Sequence, residues 1–389
     1  MLVGIVGGKL QGIEAAYLAR KAGWEIKLVD RNDRVPACHL GDTFVQADVT
    51  GEGNLDGVLD DVDFIIPALE NESGLSCLTR WCRKKDVPLS FDSRAYAVSS
   101  SKLKSTELFR KIGLPVPVAW PQCEFPVLAK PGRGSGSKGV HVYHDLESLK
   151  TRFPDQCPAP GWIVEKYIGG SQHSLEVIGR PGNYRVLQVT DLFVDLKFDC
   201  KRVIAPSSLA PELIGDFEKL ALTIAEALNL HGIMDMEVIY SDGEFKILEI
   251  DARLPSQTPT AVYWSTDLNM VALLGEHYAE NRDNQPPAED PTRGVVYEHI
   301  HVSGDILEVR GEGIMTLGGP LKLHKDFFGA DEAITNYMPG RDDWVATLIC
   351  SAAGREQAGE KQKHSITEIV RYLGLQQVID REPAVVFLD

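Results

Sequence analysis

Acidic residues are frequent between residues 234 and 251. The apolar-rich segments 234–240 and 244–251 flank Ser241-Asp242-Gly243, and this pattern predicts a β-hairpin. A three-residue loop would pair Tyr240 with Glu244 and Asp235 with Glu249. One face would then hold Asp235, Glu237, Glu249 and Asp251, and the other Met234, Met236, Val238, Leu248 and Ile250. Oxygen ligands this close together suit Mg²⁺ that bridges phosphates, and a solvated acidic face is the alternative.

A glycine- and serine-rich loop at 132–139 follows a predicted strand, 127–130, that ends in Lys130. A lysine at the end of a strand offers a fixed charge for the α- and β-phosphates of a nucleotide, and the amides of such a loop can close over the β- and γ-phosphates. A plain linker is the alternative interpretation. Lys104 precedes this block on a lysine-rich helix predicted over 99–112.

A polar segment, Arg253 to Thr260, follows the predicted hairpin. Its guanidinium, hydroxyls and amide could orient a carboxylate and its transition state. His299 and His301 alternate on one predicted strand without spaced partners, so we interpret them as ordinary polar side chains. The chain contains no Gly-x-Ser-x-Gly sequence, which disfavours a serine hydrolase.

The first turn of the chain nearly matches a dinucleotide-binding fingerprint. Gly7 and Gly12 occupy its outer positions and Asp30 lies at the expected distance, but Lys9 replaces the middle glycine. That glycine lets the backbone approach a pyrophosphate, so its loss argues against NAD. A glycine turn that only closes a βαβ unit is the alternative.

Short strands alternate with helices over the first ninety or so residues, which predicts a Rossmann-like parallel sheet. We predict strands at 2–6, 25–29, 43–46, 64–67 and 89–91 and a helix at 11–22. The fold class is therefore α/β followed by α+β, since strands at 140–143, 162–165 and 174–178 and a helix at 216–228 come next. We predict three units: residues 1–93, residues 94–285, and a C-terminal region, 286–389, with a helix at 365–372. The polar stretch 280–293 is interpreted as a boundary loop.

Composition limits the classes of function. Lys plus Arg number 40 and Asp plus Glu number 56, so the formal net charge of −16 disfavours nucleic acids and anionic membranes as partners. The seven cysteines form no Cys-x-x-Cys pair, which is typical of a reducing cytosol. Because the sequence shows neither a signal-like start nor a long apolar run, we expect a cytoplasmic protein without a membrane span.

The order of these motifs resembles the ATP-grasp carboxylate-amine ligases over most of the chain. The resemblance rests on Lys104, on Lys130 with its loop, on Glu237, and on the segments 164–168 and 248–251, although Asp251 stands where that family usually has Asn. The strings 7–12, 67–72, 232–237 and 249–260 are more specific. They resemble the family of ligases that join (3R)-3-methyl-D-ornithine to L-lysine in pyrrolysine biosynthesis.

The resemblance implies an N-terminal Rossmann-like domain, an ATP-grasp domain of two subdomains over 94–285, and a C-terminal extension that completes the catalytic domain. It implies Lys104, Lys130 and Arg253 as catalytic residues, with both lysines on the phosphates. ATP would also contact Ser137, Glu165, Lys166, Tyr167 and Ile168. Magnesium would be bound by Glu237, Glu249 and Asp251.

The resemblance also implies two amino-acid subsites. The ornithine subsite would contain Ser174, Leu175, Glu176, Asp235, Arg253, Ser256, Gln257, Thr258, Pro259 and Thr260. The lysine subsite would contain Leu10, Gln11, Asn71, Glu72 and Glu298. A second adenine nucleotide would contact Asp30, Asp48, Val49 and Thr50 in the N-terminal unit.

The implied reaction is an ATP- and Mg²⁺-dependent ligation through an acyl phosphate, and the implied assembly is a homodimer. The implied partners are small molecules: ATP, a D-ornithine derivative and L-lysine. Three alternatives stay open at this point: a ligase of the same kind for another acid and amine, a noncatalytic amino-acid or nucleotide sensor on the same fold, and an NAD oxidoreductase.

Overall fold

The N-terminal residues form a four-stranded parallel sheet with the order β3-β2-β1-β4. We describe it from a computed structural model, which describes residues 1–51, 53–280 and 292–383. The strands are β1 (Leu2–Val6), β2 (Glu25–Asp30), β3 (Thr43–Gln46) and β4 (Phe64–Pro67), and the helices are α1 (Leu10–Lys21) and α2 (Glu72–Lys85). The predicted βαβ opening is confirmed. The predicted strand at 89–91 is wrong, because Leu89 makes only an isolated bridge to Ile65.

Two short helices replace the single helix predicted over 99–112. They are α3 (Ser93–Ser99) and α4 (Lys102–Lys111). The chain breaks at Ser100 and Ser101, where the Ser101 hydroxyl accepts a hydrogen bond from the Lys104 amide and caps α4. Because a new helix begins after this break, the directions in which Lys102 and Lys104 point are set by α4 and not by a helix that runs on from residue 99.

A small antiparallel sheet carries the glycine-rich loop. Its strands, β5 (Val127–Pro131), β6 (His141–Tyr143) and β7 (Trp162–Lys166), have the order β6-β5-β7, and α5 (Leu146–Arg152) lies between β6 and β7 in sequence. Val127, Ala129 and Val164 bury their side chains with Leu149 and Phe153 in a core of its own. The loop at 132–139 thus connects two paired strands of a small, separately packed layer.

Within the described residues, the large sheet has 12 strands, and its main path is β13-β12-β8-β10-β11-β14-β18-β17-β16. Its first strands are β8 (Ser171–Arg180), β9 (Asn183–Val186), β10 (Thr190–Val194), β11 (Cys200–Ala205), β12 (Gly232–Ser241) and β13 (Glu244–Asp251). The others are β14 (Gly294–Ser303), β15 (Ile306–Val309), β16 (Lys322–Phe327), β17 (Ala330–Thr335), β18 (Asp343–Ala352) and β19 (Gln377–Asp380). Because β11 pairs with β14, the C-terminal strands continue the sheet that holds the predicted hairpin.

Four helices accompany this sheet: α6 (Pro211–Leu228), α7 (Thr258–Thr266), α8 (Met270–Tyr278) and α9 (Arg355–Leu373). The helices predicted at 216–228 and 365–372 are the C-terminal parts of α6 and α9. The domain limits at 93/94 and 285/286 stay predictions, and the second limit lies at 281–291, outside the described residues. In the described part of the chain, none of the helices has the length and apolar character needed to cross a membrane.

The N-terminal unit shares one apolar core with the large sheet. Ile13 and Tyr17 of α1 belong to the same buried cluster as Ile233, Ala261 and Tyr297. A polar contact reinforces this packing, because the Tyr17 hydroxyl donates to Glu332 at 2.6 Å and Lys21 pairs with the same carboxylate at 2.7 Å. The N-terminal sheet is therefore held in place against the sheet that carries the carboxylates.

The hairpin of β12 and β13 differs from its prediction in register. Ser241 pairs with Glu244, so the loop consists of Asp242 and Gly243, both with positive φ (53° and 84°). A bulge follows, because Val238 pairs with Ile247 but Glu237 pairs with Glu249. The extra residue, Leu248, lines a cavity instead of joining the apolar face, so its predicted position is wrong.

The bulge compensates for the shorter loop. A two-residue loop without a bulge would put Glu237 and Glu249 on opposite faces, because side chains alternate along a strand. With the bulge, Glu237 lies directly opposite Glu249, and Asp235 lies opposite Asp251. All four carboxylates line the same cavity, as the predicted convergence requires.

Candidate active site

A cavity of about 920 Å³ lies where the three sheets meet. Its walls come from the ends of β1 and β2, the glycine-rich loop, the connection between β7 and β8, and the hairpin of β12 and β13. The segment 255–258 and part of the C-terminal region complete it. Residues that are far apart in the sequence therefore face one cavity of the size that a nucleotide and a small substrate need.

Three carboxylates of the hairpin, Glu237, Glu249 and Asp235, have pKa values shifted from the ordinary ones, and the shifts differ in direction. Burial, and then the charge of Glu249, raises the pKa of Glu237 to about 8. Burial acts to raise the pKa of Glu249 too, but Lys102 forms an ion pair with it and brings its pKa below the ordinary value. Burial and the charge of Asp251 raise the pKa of Asp235 well above its ordinary range. Such shifts are typical of functional sites.

Two of these carboxylates fit a divalent cation. Glu237 and Glu249 face each other across paired strands, and their repulsion is the kind that Mg²⁺ relieves when it takes oxygen ligands. In the described part of the chain, no group of three or more His, Cys, Asp and Glu side chains is arranged to hold a metal ion. Asp251 is paired with Arg253 instead, so its predicted role as a third ligand stays a prediction.

Lys102, not Lys104, reaches the cavity. Lys102 lines it and pairs with Glu249, whereas the exposed Lys104 donates to the Ala97 carbonyl at 3.2 Å. The two lysines are two positions apart on one helix and therefore point about 200° apart around its axis. This corrects the choice of Lys104 as a phosphate ligand, because the structure places its neighbour in the cavity.

Lys130 occupies the position predicted for it. It is buried, its ammonium lies 2.7 Å from Glu165, and it also donates to the Leu248 carbonyl at 3.3 Å. The bulge in β13 thus presents a carbonyl to the lysine of the neighbouring small sheet. Charge, partner and backbone acceptor hold the ammonium in one place at the cavity wall.

The residues predicted to surround ATP line the cavity together. Glu165 and Lys166 end β7, and Tyr167 and Ile168 begin the connection that follows it. Ser137, in the glycine-rich loop, also lines the cavity, and its hydroxyl donates to the Phe198 carbonyl at 2.6 Å. Its φ of +52° is rare for a residue other than glycine. The loop is therefore closed against the opposite wall by a specific hydrogen bond.

The predicted ornithine residues divide into two groups. Ser174, Asp235, Arg253, Ser256, Gln257 and Thr258 line the cavity, and Leu175, Glu176, Pro259 and Thr260 do not. Leu175 belongs to the apolar core on the other face of β8, because neighbouring strand residues point to opposite faces. Glu176 is buried behind Thr258, whose hydroxyl donates to it, and the Thr260 amide donates to Glu14 at 2.6 Å. These four residues support the wall and do not form it.

Burial raises the pKa of Glu176 and of Glu14 to about 7 each. Glu14 belongs to α1 of the N-terminal unit, and both carboxylates accept hydrogen bonds from the first turn of α7. Hydrogen bonds from a helix N-terminus stabilise buried carboxylates. This pair therefore fixes the start of α7, and with it the segment 255–258.

The predicted lysine residues also divide. Leu10, Gln11 and Asn71 line the cavity, but Glu72 and Glu298 do not. Glu72 is mostly exposed and pairs with Arg133. Glu298 is fully buried on β14, where it pairs with Arg202 and accepts a hydrogen bond from Gln362. The placement of these two carboxylates in the lysine subsite is corrected, because neither of them lines the cavity and each is already paired with an arginine.

Asp30, Asp48, Val49 and Thr50 line the N-terminal end of the cavity, as predicted for a second nucleotide. Asp30 accepts a hydrogen bond from the Gly8 amide at 2.8 Å, and Asp48 accepts one from the Thr50 amide at 2.9 Å. Both carboxylates thereby order the turns that form this end. Their contact with a nucleotide stays a prediction.

Arg253 connects the N-terminal unit with the hairpin. Its guanidinium donates to the Gln11 side chain at 3.1 Å, to the Leu69 carbonyl at 3.1 Å, and to Asp251. It also lies 4.8 Å from the centre of the Tyr96 ring. Because Gln11 and Asp251 belong to different predicted subsites, this one side chain couples their positions.

Three residues that line the cavity, His173, Asp191 and Glu312, were not predicted from the sequence. His173 lies 2.8 Å from Asp191, and Asp191 also pairs with Arg355. Burial opposes ionisation of Asp191, but its hydrogen bonds, that of His173 first, lower its pKa to about 2. Glu312 comes from the C-terminal region and lines the same cavity. Only the serine cap before α4 could have singled out Lys102 in the sequence, and we find no local signal for His173, Asp191 or Glu312.

Comparisons with known proteins agree with this arrangement. A model of the ATP-grasp domain matches residues 99–257. The 3-methyl-D-ornithine–L-lysine ligase of Methanosarcina acetivorans is 34% identical to the chain over 363 residues, which cover 92% of this chain and 95% of that protein. The ligase of the same name from Methanosarcina mazei is 33% identical over 365 residues, 93% of this chain and 94% of that protein.

The fold also matches solved structures of more distant proteins. An ADP complex of an N5-carboxyaminoimidazole ribonucleotide synthetase has a TM-score of 0.70 at 19% sequence identity, over 94% of this chain and 96% of that one. At this identity the similarity concerns the fold alone. The combination of N-terminal sheet, small sheet and large sheet is therefore an architecture that other proteins share along nearly their whole length.

Proposed function

The chain belongs to the family of 3-methyl-D-ornithine–L-lysine ligases among the ATP-grasp enzymes, and from this we propose that it joins the carboxylate of (3R)-3-methyl-D-ornithine to the ε-amine of L-lysine at the expense of ATP. The observation that carries the proposal is the full-length similarity to ligases of that name, together with a cavity that gathers two lysines and paired carboxylates. The product would be an isopeptide of pyrrolysine biosynthesis.

The proposed reaction has two steps. A carboxylate oxygen of the ornithine derivative attacks the γ-phosphorus of ATP, ADP leaves, and an acyl phosphate forms. The ε-amine of lysine then attacks the acyl carbon, phosphate leaves, and the amine loses a proton. Phosphorylation is needed because a free carboxylate is a poor electrophile, and an enclosed cavity protects the acyl phosphate from water.

The lysines and the glycine-rich loop are proposed to bind the phosphates. Lys130 is held in position by Glu165 and the Leu248 carbonyl, so its charge is preorganised before a nucleotide binds. Lys102 lies beside Glu249 and would shift part of its interaction to a phosphate. The segment 165–168 would then frame the adenine, as the resemblance implies.

Glu237 and Glu249 are the residues proposed to hold Mg²⁺, with Asp251 as a further oxygen donor. When bound, Mg²⁺ neutralises the charge that develops between the β- and γ-phosphate oxygens. The raised pKa of Glu237 is consistent with this role. It means that Glu237 keeps a proton beside Glu249, and a bound cation would replace that proton. Lys102 and Lys130 balance the remaining negative charge.

The two amino acids are proposed to bind on either side of Arg253. The ornithine derivative would lie against Ser174, Asp235 and the segment 256–258, and lysine would lie against Leu10, Gln11 and Asn71. Arg253 contacts Gln11 on one side and Asp251 on the other, so it would orient the acyl group toward the incoming amine. We also propose that the protein is a homodimer and that it acts in the cytoplasm.

ADP release measured with Mg²⁺, ATP, L-lysine and 3-methyl-D-ornithine, followed by mass spectrometry of the products, tests the proposal. We expect a conjugate whose mass is the sum of the two amino acids less one water, and full ADP release only when both are present. ADP release with the ornithine alone, without a conjugate, would place the error in the amine. No ADP release in any combination would contradict the proposal.

A further inference from the structure

Glu312 enters the cavity from a part of the chain that the reaction described above does not use. It begins a short 3₁₀ helix, Glu312–Thr316, in the C-terminal region. The loop 195–199 holds this helix, because Asp195 accepts a hydrogen bond from the Gly311 amide at 3.1 Å and Asp199 accepts one from the Gly313 amide at 2.9 Å. Two carboxylates on one loop thus fix the backbone on both sides of Glu312.

The fit between this turn and the loop is close. A Cβ on Gly311 would lie 2.3 Å from the side chain of Asp199, so only glycine allows the approach. The position of Glu312 is therefore built by specific contacts. It does not result from a surface side chain falling back onto the protein.

Several buried oxygens in the cavity wall have no hydrogen-bond partner among the described residues. They are Glu312 Oε2, Gln257 Oε1, Asp235 Oδ1 and Ser174 Oγ. Gln257, Asp235 and Ser174 are each more than nine-tenths buried. Buried polar atoms are normally paired, so this group indicates a place where a hydrogen-bonding ligand fits. Carboxylate and amide oxygens only accept hydrogen bonds, so the ligand must be a donor.

The unpaired oxygens of Glu312 and Gln257 lie at the same place in the cavity wall. The side chains of Ser256 and Gln257 lie close enough to the Glu312 carboxylate to lower its pKa against the effect of burial. Glu312 Oε2 and Gln257 Oε1 have no hydrogen-bond partner among the described residues. Asp235 lines the same cavity, and its strand partner Glu176 accepts a hydrogen bond from Thr258, the residue that follows Gln257.

The part of the chain that the structure describes places no positive side chain against these oxygens. Within the described residues, neither Glu312 nor Asp235 has a Lys, Arg or His nitrogen within 4.0 Å. Burial raises the pKa of Glu312 to about 7, so its charged form is disfavoured without a counterion. A cation with N–H donors would satisfy the oxygens and the charge at once.

We propose that Glu312 and Gln257, with Asp235 beside them, bind an ammonium group of the diamino acid and so exclude acids that lack it. This inference rests on the proposed function, since it names what distinguishes the ornithine derivative from an ordinary amino acid. The diamino acid has two ammonium groups with the same hydrogen-bonding chemistry. A monoamino acid of equal length leaves buried acceptors unpaired, which selects against it strongly.

Substrate selectivity of Glu312→Gln tests the inference. We expect the KM for D-ornithine in ADP release with L-lysine to rise about 10- to 100-fold, with the KM for ATP unchanged. Glu308→Gln is the matched control, because Glu308 lies on the neighbouring strand β15, is 39% exposed and does not line the cavity. This control should leave both KM values unchanged.

Two analogues identify the ammonium that is bound. D-norvaline lacks the side-chain ammonium and 5-aminopentanoate lacks the α-ammonium. The analogue that lacks the group bound by Glu312 should be used equally poorly by the wild type and by Glu312→Gln, and the other analogue should lose activity on substitution. Equal losses with all three acids, or none with D-ornithine, would overturn the inference.

Calorimetric binding of D-ornithine separates this inference from the proposed function. A wild type that binds D-ornithine but forms no conjugate would contradict the proposed function, and weaker binding by Glu312→Gln would still support the ammonium site. Binding that Glu312→Gln leaves unchanged would overturn it. Thermal stabilisation of the wild type by K⁺ alone, lost in Glu312→Gln, would identify a monovalent-metal site and would also overturn it.

Discussion

Replacement of Glu237 by glutamine should make the unliganded protein more stable and the enzyme far less active. Burial and the facing Glu249 raise the pKa of Glu237 from 4.5 to about 8 in the folded protein. The unfolded chain keeps the ordinary value. Between these two pH values the folded protein holds a proton that the unfolded chain releases, so stability falls as the pH rises through this window and levels off above it.

The magnitude follows from the two pKa values. The interval from 4.5 to about 8 corresponds to at most about 5 kcal/mol of lost stability above pH 8, at about 1.4 kcal/mol per pH unit. Neighbouring groups relax around a buried charge, so we expect about half of this. Glutamine does not ionise, so Glu237→Gln should recover about 2–3 kcal/mol at pH 9 and less than about 1 kcal/mol at pH 5.

Urea denaturation at several pH values, without nucleotide or Mg²⁺, measures this difference. Glu244→Gln is the control on the same hairpin, because Glu244 is exposed and paired with Lys246. Its stability difference from the wild type should not grow with pH. Turnover of Glu237→Gln should fall about 100-fold or more, because a group that stabilises the transferred phosphate is lost. A stability difference independent of pH, or unchanged turnover, would refute the reasoning.

Three further predictions concern other contacts. Lys102→Ala should lower kcat about 100-fold, whereas Lys104→Ala should change it less than about twofold; equal losses in ADP release would contradict the assignment. Asn71→Asp, which keeps the oxygen that caps α2, should raise the KM for L-lysine about tenfold and leave acyl phosphate formation, trapped with hydroxylamine, unchanged. Glu332→Gln should cost about 2 kcal/mol in thermal denaturation because it breaks the ion pair with Lys21, and a neutral result would show that this contact does not hold α1 in place.

The hairpin shows which structural features a local sequence pattern predicts and which it does not. Apolar and acidic residues alternate at 234–240 and 244–251, so the strands and their two faces were predictable. The register was not, because it depends on whether the turn takes two or three residues and on whether a bulge follows. Asp242 and Gly243 form the shorter turn, and the bulge at Leu248 brings the carboxylates back to one face. The shorter turn and the bulge have opposite effects on which face a side chain takes, so Glu237 and Glu249 still share one face.

The choice between Lys102 and Lys104 depended on a contact with a distant part of the chain. A single helix through 99–112 gives no reason to prefer either lysine. The break at Ser101 starts a new helix, and the ion pair with Glu249 decides which lysine faces the cavity. That carboxylate lies 147 positions later in the sequence, so no local pattern contains this information.

The sequence by itself determined the kinds of chemistry available: lysines beside a glycine-rich loop, carboxylates on a hairpin, and a βαβ unit without a full dinucleotide fingerprint. These features follow from residue type and short-range periodicity, which act along the chain. Only the tertiary structure decided which groups meet. Glu298 is taken out of the site by Arg202 on a paired strand, and Glu312 is brought into it by a loop more than a hundred residues earlier. Both outcomes depend on sheet pairing and burial, which bring distant residues together and make an unpaired buried charge costly.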